Sequence, residues 1–255
     1  MDIFVRMKEL AEAGKTADII TMVSAPDQAA GCVGQMLLGE DGNWQGELVD
    51  AAFAQLVGQQ IQNIDWKKPM ILELTYKGGQ YRLFWDKLSR RRSALVLGAG
   101  HISQPLCMLL SQIGYAVTVV DDRPDFANTM RFPQAEQVVC KNFGQALAEL
   151  RLAGYGAIIV VTRGHRSDME CLQAVIDQPA NYIGMIGSQG RVRLVMNSLR
   201  ETGVNPDTVA RLRAPIGLDI GAETPVEIAL SIVAEIVAVN TGSGCRPLSD
   251  KWRCK

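Results

Sequence analysis

The chain has 255 residues, 47% hydrophobic and 21% charged, with a formal net charge of −1. That composition excludes a disordered chain, and the near-zero charge removes the electrostatic case for a nucleic-acid partner. The late apolar segment Val226–Val239 is broken by Glu227 and Glu235 and is too short to span a bilayer, so no membrane span is expected.

The N-terminus, Met1-Asp-Ile-Phe-Val-Arg-Met-Lys-Glu9, carries charge where a signal peptide needs an apolar run, so a cytoplasmic protein is expected. The length suits one large domain or two modest ones. Asp2 to Ala13 reads as an amphipathic helix with Ile3, Met7 and Leu10 on one side and Gly14 ending it. Ala17–Val23 and Cys32–Leu38 read as strands, and the turn residues Glu40-Asp-Gly-Asn43 join the latter to Trp44–Val49 in a hairpin. Asp50 is an N-cap for a helix to Ile64. Met70–Tyr76 and Gln80–Trp85 flank Lys77-Gly-Gly79 as a second hairpin. This is a small α+β domain spanning 1–86, with 87–93 as a linker in which Arg90, Arg91 and Arg92 are solvated.

From Ala94 strands and helices alternate, the pattern of a parallel sheet covered on both faces. The expected strands are Ala94–Leu97, Ala116–Val120, Gln137–Cys140, Ala157–Thr162 and Tyr182–Ile186, with a possible sixth near Leu212. A Rossmann-like doubly wound domain over 94–242, followed by a tail over 243–255, is the fold expectation. The usual strand order puts the fourth strand beside the first.

Chemistry is expected at the carboxyl ends of those strands. Gly98 and Gly100 allow a tight turn and close approach of a ligand, and His101, Ile102 and Ser103 lead into a helix whose free N–H groups suit a phosphate. Ser103 stands where the dinucleotide fingerprint has its third glycine. Asp121, 23 residues after Gly98, falls about where an acid meets a ribose hydroxyl, and Asp122 follows it. The loop after the fourth strand, Thr162-Arg-Gly-His-Arg-Ser-Asp168, adds Arg163 and His165, so the only two histidines fall at the switch point and are expected to share a site. Ser167-Asp-Met-Glu170 has capping-box spacing, with Asp168 in the first helical turn as a further candidate. Gly187 and Ser188 form a third anion-suited turn. Thr224-Pro-Val-Glu227 signals a helix start, and Glu223 and Glu227 approach the crevice only if the loop Ile216–Ala222 folds over it.

The six cysteines (Cys32, Cys107, Cys140, Cys171, Cys245, Cys254) show no C-x-x-C pair and no metal spacing, and most are expected as buried thiols. No metal held by protein ligands is expected.

The ordered series Val96-Leu-Gly-Ala-Gly-His-Ile-Ser103, Val120-Asp-Asp-Arg-Pro-Asp-Phe-Ala127, Arg131-Phe-Pro-Gln-Ala-Glu136, Tyr182-Ile-Gly-Met-Ile-Gly-Ser188, Pro215-Ile-Gly-Leu-Asp-Ile-Gly-Ala222 and Thr224–Glu235 resembles the XdhC/CoxI family, accessory proteins of molybdenum hydroxylases. The resemblance implies a homodimeric chaperone. It would bind molybdenum cofactor, as molybdopterin or its cytidine dinucleotide form, support its sulfuration by a cysteine desulfurase, and pass it to a xanthine dehydrogenase-type apo-enzyme. The first 90 residues depart from the family pattern. Ser24–Gly31 lacks the arginine often found there, Gly46–Asp50 lacks a glycine pair and a cysteine, and Arg163 replaces the first of two histidines. The residues alone leave an alternative open: an NAD(P)-linked oxidoreductase with Asp121 on the ribose and His101 or His165 as proton donor.

Overall fold

The structure is a computed structural model that describes residues 3–12, 15–26, 34–39, 42–46, 48–64, 66, 68–88 and 92–250. It divides into two compact units, Met1–Arg91 and Arg92–Lys255.

The first unit begins with helix α1 (Ile3–Glu12), whose Ile3, Met7 and Leu10 pack with Ala17, Leu37 and Leu88. Strands β1 (Ala17–Ser24), β2 (Gln35–Gly39) and β3 (Trp44–Gly46) come before helix α2 (Ala51–Gln62). Strands β4 (Met70–Tyr76) and β5 (Gly79–Leu88) follow it. The five strands form an antiparallel sheet in the order β3-β2-β1-β5-β4. Both expected hairpins form. β3 is shorter than the expected Trp44–Val49, and Cys32 lies outside the described residues. Lys77 and Gly78 both have positive φ (48° and 79°), which matches the right-handed twist of the strands they join. Asp50 caps α2 by accepting from Phe53 N–H. Its carboxyl is held at about 2 by Lys77, that N–H and the Tyr76 hydroxyl. β5 runs through Asp86 to Leu88, which pairs with Ala17, so Lys87 and Leu88 belong to the sheet.

In the second unit β6 (Ser93–Leu97), helix α3 (Ser103–Gln112), β7 (Ala116–Asp121), β8 (Gln137–Cys140), helix α4 (Phe143–Glu149), β9 (Ala157–Val160), helix α5 (His165–Val175), β10 (Tyr182–Met185) and helices α6 (Gln189–Glu201), α7 (Pro206–Arg211) and α8 (Pro225–Thr241) follow in turn. The strands are parallel in the order β10-β9-β6-β7-β8, so the strand order reverses between β6 and β9. Side chains alternate across this sheet. Leu95, Leu97, Ile158 and Val160 bury one face under α4, α5, α6 and α7, while Ala94, Val96, Val119 and Ile159 bury the other under α3 and α8. This two-sided burial is why β6 reads as an unbroken apolar run. The sixth strand reduces to one bridge, Arg213 beside Gly184.

Two helix starts test the local signals. Thr224 and Glu227 form the expected capping box, with Pro225 in the first turn. The expected box at Ser167 does not form: α5 starts at His165 with Gly164 as its N-cap. Asp168 N–H already bonds the Gly164 carbonyl, so Ser167 lies inside the first turn. Glu170 turns away to accept from Gly144 N–H at the start of α4. Among the described residues, no helix is long and apolar enough to cross a membrane.

Candidate functional site

Four loops leave the carboxyl ends of the parallel strands on one rim: 98–102 after β6, 122–136 after β7, 161–164 after β9 and 186–188 after β10. Strand order brings the first three together, because β6 lies between β7 and β9.

The two glycines of the first turn serve different ends. Gly98 has φ 113°, and a Cβ there would lie 2.5 Å from the Val161 carbonyl oxygen. The glycine is demanded by the neighbouring loop. Gly100 has no such constraint, since a Cβ would meet no atom within 4 Å. Ser103 is fully buried and its hydroxyl donates to the Gly98 carbonyl at 2.7 Å, closing the turn. Ile102, the N-cap of α3, supplies no side-chain hydrogen bond. The first N–H groups of a ten-residue helix are therefore left without a side-chain cap, next to a turn position where a Cβ would meet no atom of the chain.

Asp121 does not play the part expected of it. It is 2% exposed, and its two oxygens accept four hydrogen bonds: Oδ2 from Ala99 N–H (2.8 Å) and Arg123 Nη2 (2.9 Å), Oδ1 from Arg123 N–H (3.1 Å) and Arg123 Nε (2.8 Å). A carboxylate has about four lone-pair sites, so none remains for a ribose diol. Burial pushes the carboxyl upward. The Arg123 guanidinium and the N–H groups of Ala99 and Arg123 outweigh that and hold it at about 2. Asp121 is thus ionised above about pH 4, and it pins the glycine turn to the end of β7. Asp122 is half exposed and accepts from Arg163 Nη2 at 3.4 Å, a contact that crosses above the end of β6 from the β9 loop.

Asp168 is likewise buried, at 0% exposure. It accepts from the Thr162 hydroxyl (2.5 Å) and pairs with the Arg191 guanidinium, whose Nε lies at 2.5 Å. Arg191 also reaches the Thr162 carbonyl, so this cluster ties α5 and α6 to the end of β9. Ser188 caps α6 by accepting from Arg191 N–H, and a Cβ at Gly187 would rest 3.5 Å from the Arg191 and Val192 side chains. Glu227 spends its carboxylate on Thr224 and Glu223 N–H groups, and Gly217 N–H holds the Ile216–Ala222 loop to Glu235 on α8. Asn240 bonds Tyr115 and Glu235 bonds Tyr182 at the amino ends of β7 and β10, so α8 runs with its first turn, and with it Glu227, toward the carboxyl-end side of the sheet.

Of the two histidines, His101 is exposed in the glycine turn, and His165 is described through its backbone at the first residue of α5. Their loops follow adjacent strands. Cys107 and Cys171 are buried, and burial raises both thiols, Cys107 to about 11. Cys140 and Cys245 are exposed, while Cys32 and Cys254 lie outside the described residues.

Arg123, Phe126 and Arg131 stand in the ordered motifs, yet spacing along the chain assigns them no work. In the fold, Arg123 and Arg131 lie over the Phe126 ring, at 3.7 and 4.8 Å from its centroid. Arg131 also exchanges hydrogen bonds with Gln104, in the first turn of α3. The signal in the chain is an arginine two residues past the acid that ends a strand, close enough to fold back on it.

Comparison with known proteins bears on this rim. The profile of the XdhC Rossmann domain matches residues 94–236, more than half of the chain. The Uncharacterized protein YqeB of Escherichia coli (strain K12) is 27% identical over 95% of this chain and 47% of its own length. A probable xanthine dehydrogenase component of Bacillus subtilis (strain 168) is 32% identical over 61% of this chain and 45% of its own. The Molybdenum cofactor insertion chaperone PaoD of Escherichia coli (strain K12) is 29% identical over 32% of this chain and 26% of its own. The chain thus spans about half the length of the first two relatives. A crystal structure of a xanthine dehydrogenase from Bacillus halodurans superposes with a TM-score of 0.70 at 24% identity, over 93% of this chain and 66% of that one, and so shares the fold. With its Rossmann domain matched from strand β6 into helix α8, this chain belongs to the XdhC family.

Proposed function

We propose that this protein is an accessory chaperone that binds molybdenum cofactor at the rim of its parallel sheet and assists its insertion into a xanthine dehydrogenase-type hydroxylase. The observation that carries the reading is the start of α3: uncapped N–H groups beside Gly100, where a Cβ would meet no atom of the chain. A pterin phosphate fits such a place, because helix N-termini favour anions. The name of PaoD supplies the pterin.

In this reading the backbone at Gly100, His101, Ile102 and Ser103 holds the phosphate, and Asp121 and Asp168 hold the loops rather than the ligand. Arg163 lies on the adjoining β9 loop and His165 opens α5 just after it, while His101 is exposed in the turn itself; these positions would face the rest of the cofactor. The cofactor brings the molybdenum centre that performs hydroxylation once transferred. The chain's own work is to bind, orient and release it. Sulfuration by a cysteine desulfurase, transfer to an apo-hydroxylase and action as a homodimer complete the proposal. The oxidoreductase alternative needs a free acid for the ribose, and the saturation of Asp121 weighs against it.

The test is native mass spectrometry of protein made in a cofactor-producing host, paired with activation of a cofactor-free xanthine dehydrogenase-type enzyme. Pterin and molybdenum on the protein, together with faster activation, are expected. Tight NADH binding with neither pterin nor activation refutes the reading.

A further inference from the structure

The two helical layers on the parallel sheet differ in what they show outward. On one side Arg166 of α5, Arg193 and Arg200 of α6 and Asp207 of α7 are exposed, as the outer faces of covering helices ordinarily are. On the other side α3 packs against α8, and neither helix carries a lysine or an arginine. Both acids of α8 are engaged. Glu227 accepts from Thr224 and Glu223 N–H, and Glu235 accepts from the Tyr182 hydroxyl and Gly217 N–H. What α8 presents outward is Val226, Leu230 and Val237, at 57, 50 and 41% exposure, with the half-buried Ala234 among them, and α3 adds Met108. At 3.6 residues per turn these four α8 positions fall within about a quarter turn of one another. A helix apolar on every side belongs in an interior, yet this stripe of α8 lies in water.

Three properties of the stripe select its occupant. Its centre carries no charge, which suits a two-fold contact, because there each patch meets its own copy and any charge would meet its like. Its shape is self-complementary: an antiparallel crossing centred between Leu230 and Ala234 sets the large Leu230 of each copy on the small Ala234 of the other, and Val226 on Val237. Its extent is sufficient as well. The 17 residues of α8 are about 25 Å long, and with α3 beside it the face covers roughly 400 Å² in projection. That is the scale of the apolar core of a standard contact, which buries about 800 Å² per partner within a polar rim.

We infer that the α3–α8 face is covered by a second copy of this chain, the two α8 helices crossing antiparallel about a two-fold axis between Leu230 and Ala234. The crossing also places the dipoles of the two helices head to tail. The inference does not rest on the cofactor reading, and it gives the homodimer named there a surface.

The test is sedimentation velocity of the full chain over a concentration series, with circular dichroism of each sample reporting the fold. Wild type should sediment with twice the mass of one chain. Leu230→Glu and Ala234→Lys, each placing a charge at the apolar centre, should each weaken association by about a hundredfold or more. An equal mixture of the two should pair again, because the antiparallel crossing sets the new glutamate against the new lysine. Leu194→Glu, on the 60% exposed position of α6 in the opposite layer, should associate as wild type does. If Leu230→Glu does not fold, Ala234→Lys carries the same comparison. A wild type that is monomeric at every concentration, a dimer that both central charges leave intact, one that Leu194→Glu breaks equally, or a mixture that stays monomeric overturns the inference. Pterin retention measured on the same samples separates it from the cofactor reading. A dimer without pterin removes the cofactor and leaves the interface, and pterin held by a wild-type monomer does the reverse.

Discussion

Replacing Gly98 by alanine separates the fold's demands from the ligand's. At φ 113° an L-residue is strained by roughly 1–3 kcal/mol. The new Cβ would also sit 2.5 Å from the Val161 oxygen, 2.8 Å from its carbon and 3.1 Å from Thr162 nitrogen, all backbone atoms that cannot rotate away. Relief requires the end of β6 to shift between its two neighbours, which endangers its bond with the β9 side, from Val161 N–H to Leu97 (2.8 Å), and its bond with β7, from Gly98 N–H to Val120 (2.7 Å), each worth about 1 kcal/mol. The sum is about 3–5 kcal/mol, a fall in melting temperature of roughly 10 °C. Gly100→Val makes the contrast, because its Cβ enters open space. It should melt as wild type does and lose ligand affinity by about tenfold or more. Thermal melting followed by circular dichroism, with ligand retention measured on the same samples, checks both. A Gly98→Ala protein that melts within a degree or two of wild type would refute the steric argument. A Gly100→Val protein with full affinity would refute the assignment of that turn to the ligand.

Asp121 links the site to pH. Its folded carboxyl sits below the ordinary value, so its stabilisation is fully present above about pH 4 and is lost as the pH falls toward about 2. From 3.8 to about 2 the contribution is roughly 2 kcal/mol. Asp121→Asn should therefore flatten the acid limb of urea-unfolding stability between about pH 4 and about pH 2, and an unchanged limb would contradict the clamp. For Asp168, alanine leaves Arg191 facing a buried gap and should cost about 3–5 kcal/mol. Asp168→Ala combined with Arg191→Met should be less damaging than the sum of the single changes. Lost ligand affinity at an unchanged melting temperature would instead place Asp168 on the ligand.

Much of the fold is legible in the residues because the signals are local. β8 matches its expected bounds, β6 begins one residue before its expected start, and Asp50 and Thr224 cap helices as their side chains dictate. The Ser167 signal fails because a stronger tertiary demand competes with it. Asp168 is drawn onto Arg191, 23 residues away in the chain, and the helix starts earlier to deliver it.

Periodicity and ordered motifs are properties of the chain, so the alternation of strands and helices, the glycine turns at strand ends and the family can all be read in one dimension. Which charged residues are left over for a ligand is settled only when the loops meet. Asp121 and Asp168 look free along the chain, yet both are consumed by arginines in the fold. A carboxylate's remaining hydrogen-bonding capacity depends on every donor folded around it, and spacing along the chain does not record that.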